Sequence, residues 1–162
     1  MLNCFVPDGS GEKRPIRAVA AAQYRDWLAA QPAHVRAWLE GSSFEAKAGR
    51  SALLPDSDGS PGGALLLLSD PAEPWDFAAL RERLPAGDWR LEADGGGLDL
   101  GQAALGWALA SYRFDRYRKN DRKPLRLAIA LDPATERADA IAEAIEIITR
   151  HLARRFQQRD GA

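Results

Sequence analysis

The chain of 162 residues has one cysteine, Cys4, so it can form no internal disulfide and no cysteine-rich zinc site. It has two histidines, His34 and His151, which leaves little for histidine-ligated metals or for a histidine-assisted nucleophile. No long hydrophobic run occurs. The most apolar stretch, Ala64–Leu68, is far too short to cross a bilayer, and the start lacks the basic and apolar regions of a signal peptide. Excess charge of either sign is absent too: the net charge is −1, so no whole-molecule field draws the protein to nucleic acid or an anionic membrane. These absences predict a soluble, cytoplasmic protein.

What is present is an ordinary globular balance in a length suited to one domain over residues 1–162. Leu2–Val6 and Pro15–Ala20 read as strands, the first closed by the turn signal Pro7-Asp8-Gly9. Cys4, beside Phe5 and Val6, reads as a small buried hydrophobe. Tyr24, Trp27 and Leu28 then take helical spacing, and Val35, Trp38 and Leu39 repeat it beyond Pro32, a residue that suits a helix start. Phe44–Leu54 predicts one or two extended pieces. After a loop over 55–63, Ala64–Leu68 predicts a central strand covered on both faces.

A helix over Trp75–Leu84 puts Phe77, Leu80 and Leu84 on one face. A strand over Asp88–Ala93 turns Trp89 and Leu91 inward, and Asp94 and the three glycines after it end that strand. Asp99–Tyr112 predicts a helix whose Gly101 and Gly106 cost about 1 kcal/mol each against alanine, which suggests a close approach of this helix to the sheet. Leu125–Leu131 alternates as a strand. A last helix over about 135–158 carries the stripe Ile141, Ile145, Ile148, Leu152 and Phe156, with Arg150, Arg154, Arg155 and Arg159 near its carboxyl end. Strands alternating with helices predict a single α/β domain, a mixed sheet of about five or six strands with helices on both faces.

No catalytic constellation can be assembled. Asp56 and Asp58, Asp70 and Glu73, and Asp94 and Asp99 lie in turns, where Asx-turn and capping roles account for them, and no metal-ligand pattern emerges. Ser42, Ser43 and Ser111 have no histidine near in sequence. Gly95-Gly96-Gly97 runs into Leu98-Asp99, without the Lys-Ser/Thr ending of a phosphate loop.

The sharpest local feature is basic. Arg113, Arg116, Arg118, Lys119, Arg122, Lys123 and Arg126, against Asp115 and Asp121, leave a local charge of +5 over residues 111–128. Tyr112, Phe114 and Tyr117 interleave with them, a combination that suits nucleic acid or phosphate. The plainer account has the aromatics packed at the sheet edge and the arginines paired with acids or facing another domain.

The run from Ala103 to Lys119, AALGWALASYRFDRYRK, resembles the segment of leucyl (cytosol) aminopeptidases in which a helix runs into Y-R-F-D-R-Y. Trp27–Leu39 and Phe44–Gly49, the latter leading into Leu53-Leu54-Pro55, are similar to bacterial members, and the order of these pieces holds from about Pro15 to Ile148. The resemblance implies a macro-like, non-catalytic amino-terminal domain. In that family a larger catalytic domain follows, holds two divalent metals such as zinc or manganese, and removes amino-terminal residues within what is usually a hexamer. Nothing here resembles the N-T-P-A-N link or the metal-binding N-T-D-A-E-G-R motif, so no catalytic or metal-ligating residue carries over.

Two expectations follow, the first from the resemblance and the second from the basic segment. One is an accessory domain with no cofactor of its own, supporting assembly or substrate access, whose partners are a catalytic domain or further copies of itself. The other is a binding module for nucleic acid or a nucleotide through residues 113–126. Some family members bind DNA, and macro-like folds elsewhere bind ADP-ribose.

Overall fold

The structure, a computed structural model, describes residues 4–9, 11–94, 98–111, 124–129 and 141. Six strands form one mixed sheet: β1 (Phe5–Pro7), β2 (Arg14–Ala20), β3 (Ser51–Pro55), β4 (Pro61–Leu68), β5 (Gly87–Asp94) and β6 (Leu125–Ile129). Their order is β1-β6-β5-β2-β4-β3. All neighbours run parallel except β3, which pairs antiparallel with β4 at one edge. Four helices are described: α1 (Tyr24–Ala29), α2 (Ala33–Gly41), α3 (Pro74–Arg83) and α4 (Leu100–Ser111).

The period of two along each strand sorts the core into two layers. Ile16, Ala18, Leu66, Leu68, Trp89 and Leu127 face α3 and α4, where Phe77, Leu80 and Trp107 meet them. Val19, Leu65 and Leu67 face the other way, onto Trp27, Val35 and Leu39 of α1 and α2. This explains the unbroken run Ala64–Leu68: β4 is covered on both faces, and all five residues are buried. Each such leucine contributes about 1.5–3 kcal/mol by leaving water.

Local chemistry fixes the element ends. Glu73 caps α3 through a reciprocal capping box with Asp76, and Pro74 occupies its first turn. Asp76 is buried and accepts from the Ser69 amide at 2.9 Å, the Ser69 hydroxyl at 3.0 Å and the Glu73 amide at 3.3 Å, which ties the end of β4 to the start of α3. α2 ends with Ser43 at φ 55°, the left-handed position usually given to glycine, and the Phe44 amide reaches back to the Leu39 carbonyl.

The outer edge of β3 is closed by side chains. Trp38 Nε1 donates to the Leu53 carbonyl at 2.9 Å, and Arg83 Nη1 to that of Ser51 at 3.3 Å. Residues 51 and 53 turn their backbone groups away from β4, so these two side chains occupy acceptors that another strand would use.

Three expectations are refined. The stretch before Ser51 is loop rather than strand, and β4 starts at Pro61, earlier than its apolar run suggests. Gly106 does allow a close approach, but to α3 and not to the sheet: a Cβ there would lie 1.9 Å from the Pro74 carbonyl oxygen. The carboxy-terminal helix, apart from helical Ile141, and the end of the last strand fall outside the described residues.

Candidate functional site

Six of the seven cationic residues singled out by sequence, Arg113, Arg116, Arg118, Lys119, Arg122 and Lys123, lie outside the described residues. Their flanks are described. Arg81 of α3 donates to the carbonyls of Ala110, near the end of α4, and Leu125, at the start of β6, so one side chain joins the two ends of the basic segment. Its guanidinium lies 5.6 Å from the Trp107 ring centroid. Arg126 is committed to the sheet: Nε and Nη2 bond both Asp88 oxygens, at 2.8 and 3.0 Å, across the β5–β6 pair.

The acidic groups serve the backbone. Asp56 and Asp58 bond the amides of Ser57 and Ser60, and the Ser60 hydroxyl holds the Asp58 carboxyl below its ordinary range. Asp99 caps α4 by accepting from the Gln102 amide at 3.1 Å. Asp94 departs from its expected role as a turn residue. It ends β5, accepts from Trp27 Nε1 at 3.0 Å and lies 3.8 Å from Arg17 Nη1. No group of three His, Cys, Asp or Glu side chains among the described residues could hold a metal ion.

Of the other singled-out residues, 95–97, Tyr112, Phe114, Tyr117 and His151 lie outside the described residues, and several of the rest have structural roles. Cys4 is 3% exposed within the core. His34 is exposed on α2, and Ser42 and Ser111 donate to carbonyls of their own helices. Tyr24 stacks near Trp27 and Phe44, and its burial, with Glu40 nearby, pushes the phenol above its ordinary range.

The topology marks one place that sequence reasoning missed. β2 lies between β4 and β5; the chain leaves β2 for α1 and α2 on one face, and leaves β5 for α4 on the other. Where connections diverge in this way, the carboxyl ends of parallel strands flank a crevice. Here it holds about 580 Å³ and is lined by Arg17, Gln23, Asp26, Trp27, Gln31 and Asp94. No motif marked it, because its charged groups come from β2, α1 and the end of β5.

No helix among the described residues is long and apolar enough to cross a membrane. A family model described as the M17 aminopeptidase N-terminal domain matches residues 14–130. Among solved structures, a cytosol aminopeptidase from Coxiella burnetii aligns at a TM-score of 0.71 and 29% identity, over 90% of this chain and 32% of that one. The bottromycin maturation enzyme BotP aligns at 0.50 and 25%, over 83% of this chain and 30% of its own. The chain thus spans about a third of the length of either protein. No curated protein sequence matches it.

Proposed function

This chain belongs to the M17 aminopeptidase family, as its N-terminal domain, and from that premise we propose that it is a non-catalytic accessory domain. Its role is to support assembly of, or substrate access to, a catalytic domain that performs metal-dependent removal of amino-terminal residues. The observation that carries this reading is the family match over residues 14–130, a match to the N-terminal domain. The chemistry of the described side chains agrees with it. Glu73 and Asp76 are spent on a cap, Asp56 and Asp58 on a turn, and Asp94 on an indole and a guanidinium.

The two divalent metals implied by the family do not fit the donors described here, so no step of a reaction is assigned to this chain. The metals, zinc or manganese, belong in the proposal to the catalytic domain, and the partners are that domain and further copies of the assembly.

The test mixes this chain with an M17 catalytic domain expressed without its own N-terminal part. The proposal expects co-elution as one assembly on size exclusion, and a change in KM or in assembly size relative to the catalytic domain alone. Independent elution with unchanged mass and kinetics would overturn it. The rival reading places nucleic acid or a nucleotide on Arg113, Arg116, Arg118, Lys119, Arg122 and Lys123, a segment whose two ends Arg81 brings together. Duplex DNA titrated at two salt concentrations separates the readings, since contacts to phosphates weaken steeply with salt.

A further inference from the structure

We infer that the crevice between α1 and the carboxyl ends of β2 and β5 binds a small zwitterion, an ammonium and a carboxylate on one short frame, as in a free α-amino acid. The inference rests on the fold and its charges and stands apart from the accessory-domain reading. Its position is the one where open parallel sheets receive ligands. Its volume of about 580 Å³ falls within the range of small-molecule sites, roughly 300–1,000 Å³.

The charges decide what enters. Among the described residues Arg17 is the one cation lining the crevice, and its Nη1 pairs with Glu92 at 2.5 Å. Its Nε and Nη2 make no hydrogen bond to any described residue, which leaves two donors of a planar fork that matches a carboxylate. On the acidic side, Asp94 uses Oδ2 for the Trp27 indole, and its Oδ1 accepts no hydrogen bond from a described residue. Asp26 is exposed and makes no side-chain hydrogen bond or ion pair among the described residues. Glu92 also pairs with Arg90 at 2.7 Å, so among the described residues three carboxylates meet two guanidiniums and leave an excess of one negative charge at the crevice. That excess opposes a phosphate or nucleotide and favours an ammonium, placed at Asp26 and Asp94, with the ligand's carboxylate on Arg17. Trp27 and Ala30 add an apolar wall for a side chain.

The experiment titrates the ¹⁵N-labelled 162-residue chain with L-leucine, L-leucinamide, N-acetyl-L-leucine and ATP. The indole Nε1–H resonance of Trp27, one of five tryptophans, reports the bond to Asp94. Leucine is expected to shift that resonance saturably, and removal of either ligand charge to weaken binding by about fivefold. Asp26→Asn, a change at a side chain with no partner among the described residues, is expected to weaken leucine by about fivefold while the rest of the spectrum stays unchanged. The inference is overturned by a folded protein that shows no saturable shift with leucine. N-acetyl-leucine binding as tightly as leucine, or ATP binding more tightly than either, overturns it too.

Discussion

Replacing Gly106 by alanine is the most exacting test of how the helical layer packs. On helix propensity alone the change stabilises α4 by about 1 kcal/mol. Packing opposes it. The new Cβ would stand 1.9 Å from the Pro74 carbonyl oxygen, 2.7 Å from its carbon and 3.1 Å from its Cα, all backbone atoms in the first turn of α3. No rotamer can relieve a clash with backbone, so α4 has to retreat from α3 by at least about 1 Å in an interior packed at crystal density. That movement loosens Ala103, Ala104, Trp107 and Ala108, all fully buried. Overpacking of this kind costs about 1–3 kcal/mol or more, and a rigid obstacle places it at the upper end. Set against the propensity gain, Gly106→Ala is expected to destabilise by about 2 kcal/mol, a fall in Tm of roughly 4–8 °C for a chain of this size. Gly41 supplies the control, since it is the last residue of α2 and a Cβ there meets nothing within 4 Å. Gly41→Ala is expected to be neutral or to stabilise by up to about 1 kcal/mol. Thermal and urea unfolding of both variants beside the parent is the assay. A Gly106→Ala protein as stable as the parent would refute the helix–helix contact described here.

Three further outcomes follow from the same geometry. Ser43→Gly, which relieves a side chain held at φ 55°, is expected to raise stability by about 1 kcal/mol, read as a higher urea midpoint at unchanged slope. Asp76→Asn loses an acceptor for the Ser69 and Glu73 donors in a buried site and is expected to cost about 2–3 kcal/mol by the same measurement. Trp38→Ala combined with Arg83→Ala uncovers the Leu53 and Ser51 carbonyls on the β3 edge. Light scattering is then expected to show concentration-dependent association absent from the parent, with the single variants in between.

Much of this architecture is legible in the residues because burial imposes a period. Ala64–Leu68 announces a strand covered on both faces, and the alternation of Trp89 and Leu91 marks the face of β5 that turns toward α3 and α4. Val35 and Leu39 likewise declare the buried side of α2. Boundaries are less legible, as at β4: Pro61 and Gly62 join the strand because β3 pairs beside them, a tertiary fact with no local signature. The purpose of Gly106 was visible only as a cost, since propensity shows that glycine is expensive without naming the partner that requires it.

The site was harder to read. Arg126 looked like one of a basic cluster, yet its register partner Asp88 takes it into the sheet, a pairing set by strand order rather than by sequence distance. The crevice at Arg17, Asp26 and Asp94 gathers residues far apart in the chain, so no spacing could reveal it. Asp94 looked like a turn residue because three glycines follow it; its bond to Trp27 exists only once α1 lies over the sheet.

The central claim is that this chain serves an M17 aminopeptidase without doing its chemistry. An assay of leucine p-nitroanilide hydrolysis by the purified 162-residue chain, with manganese and zinc supplied, tests it most directly. The account predicts no turnover above the blank beside a folded circular-dichroism spectrum. Metal-dependent turnover that scales with the chain and survives repurification would contradict it.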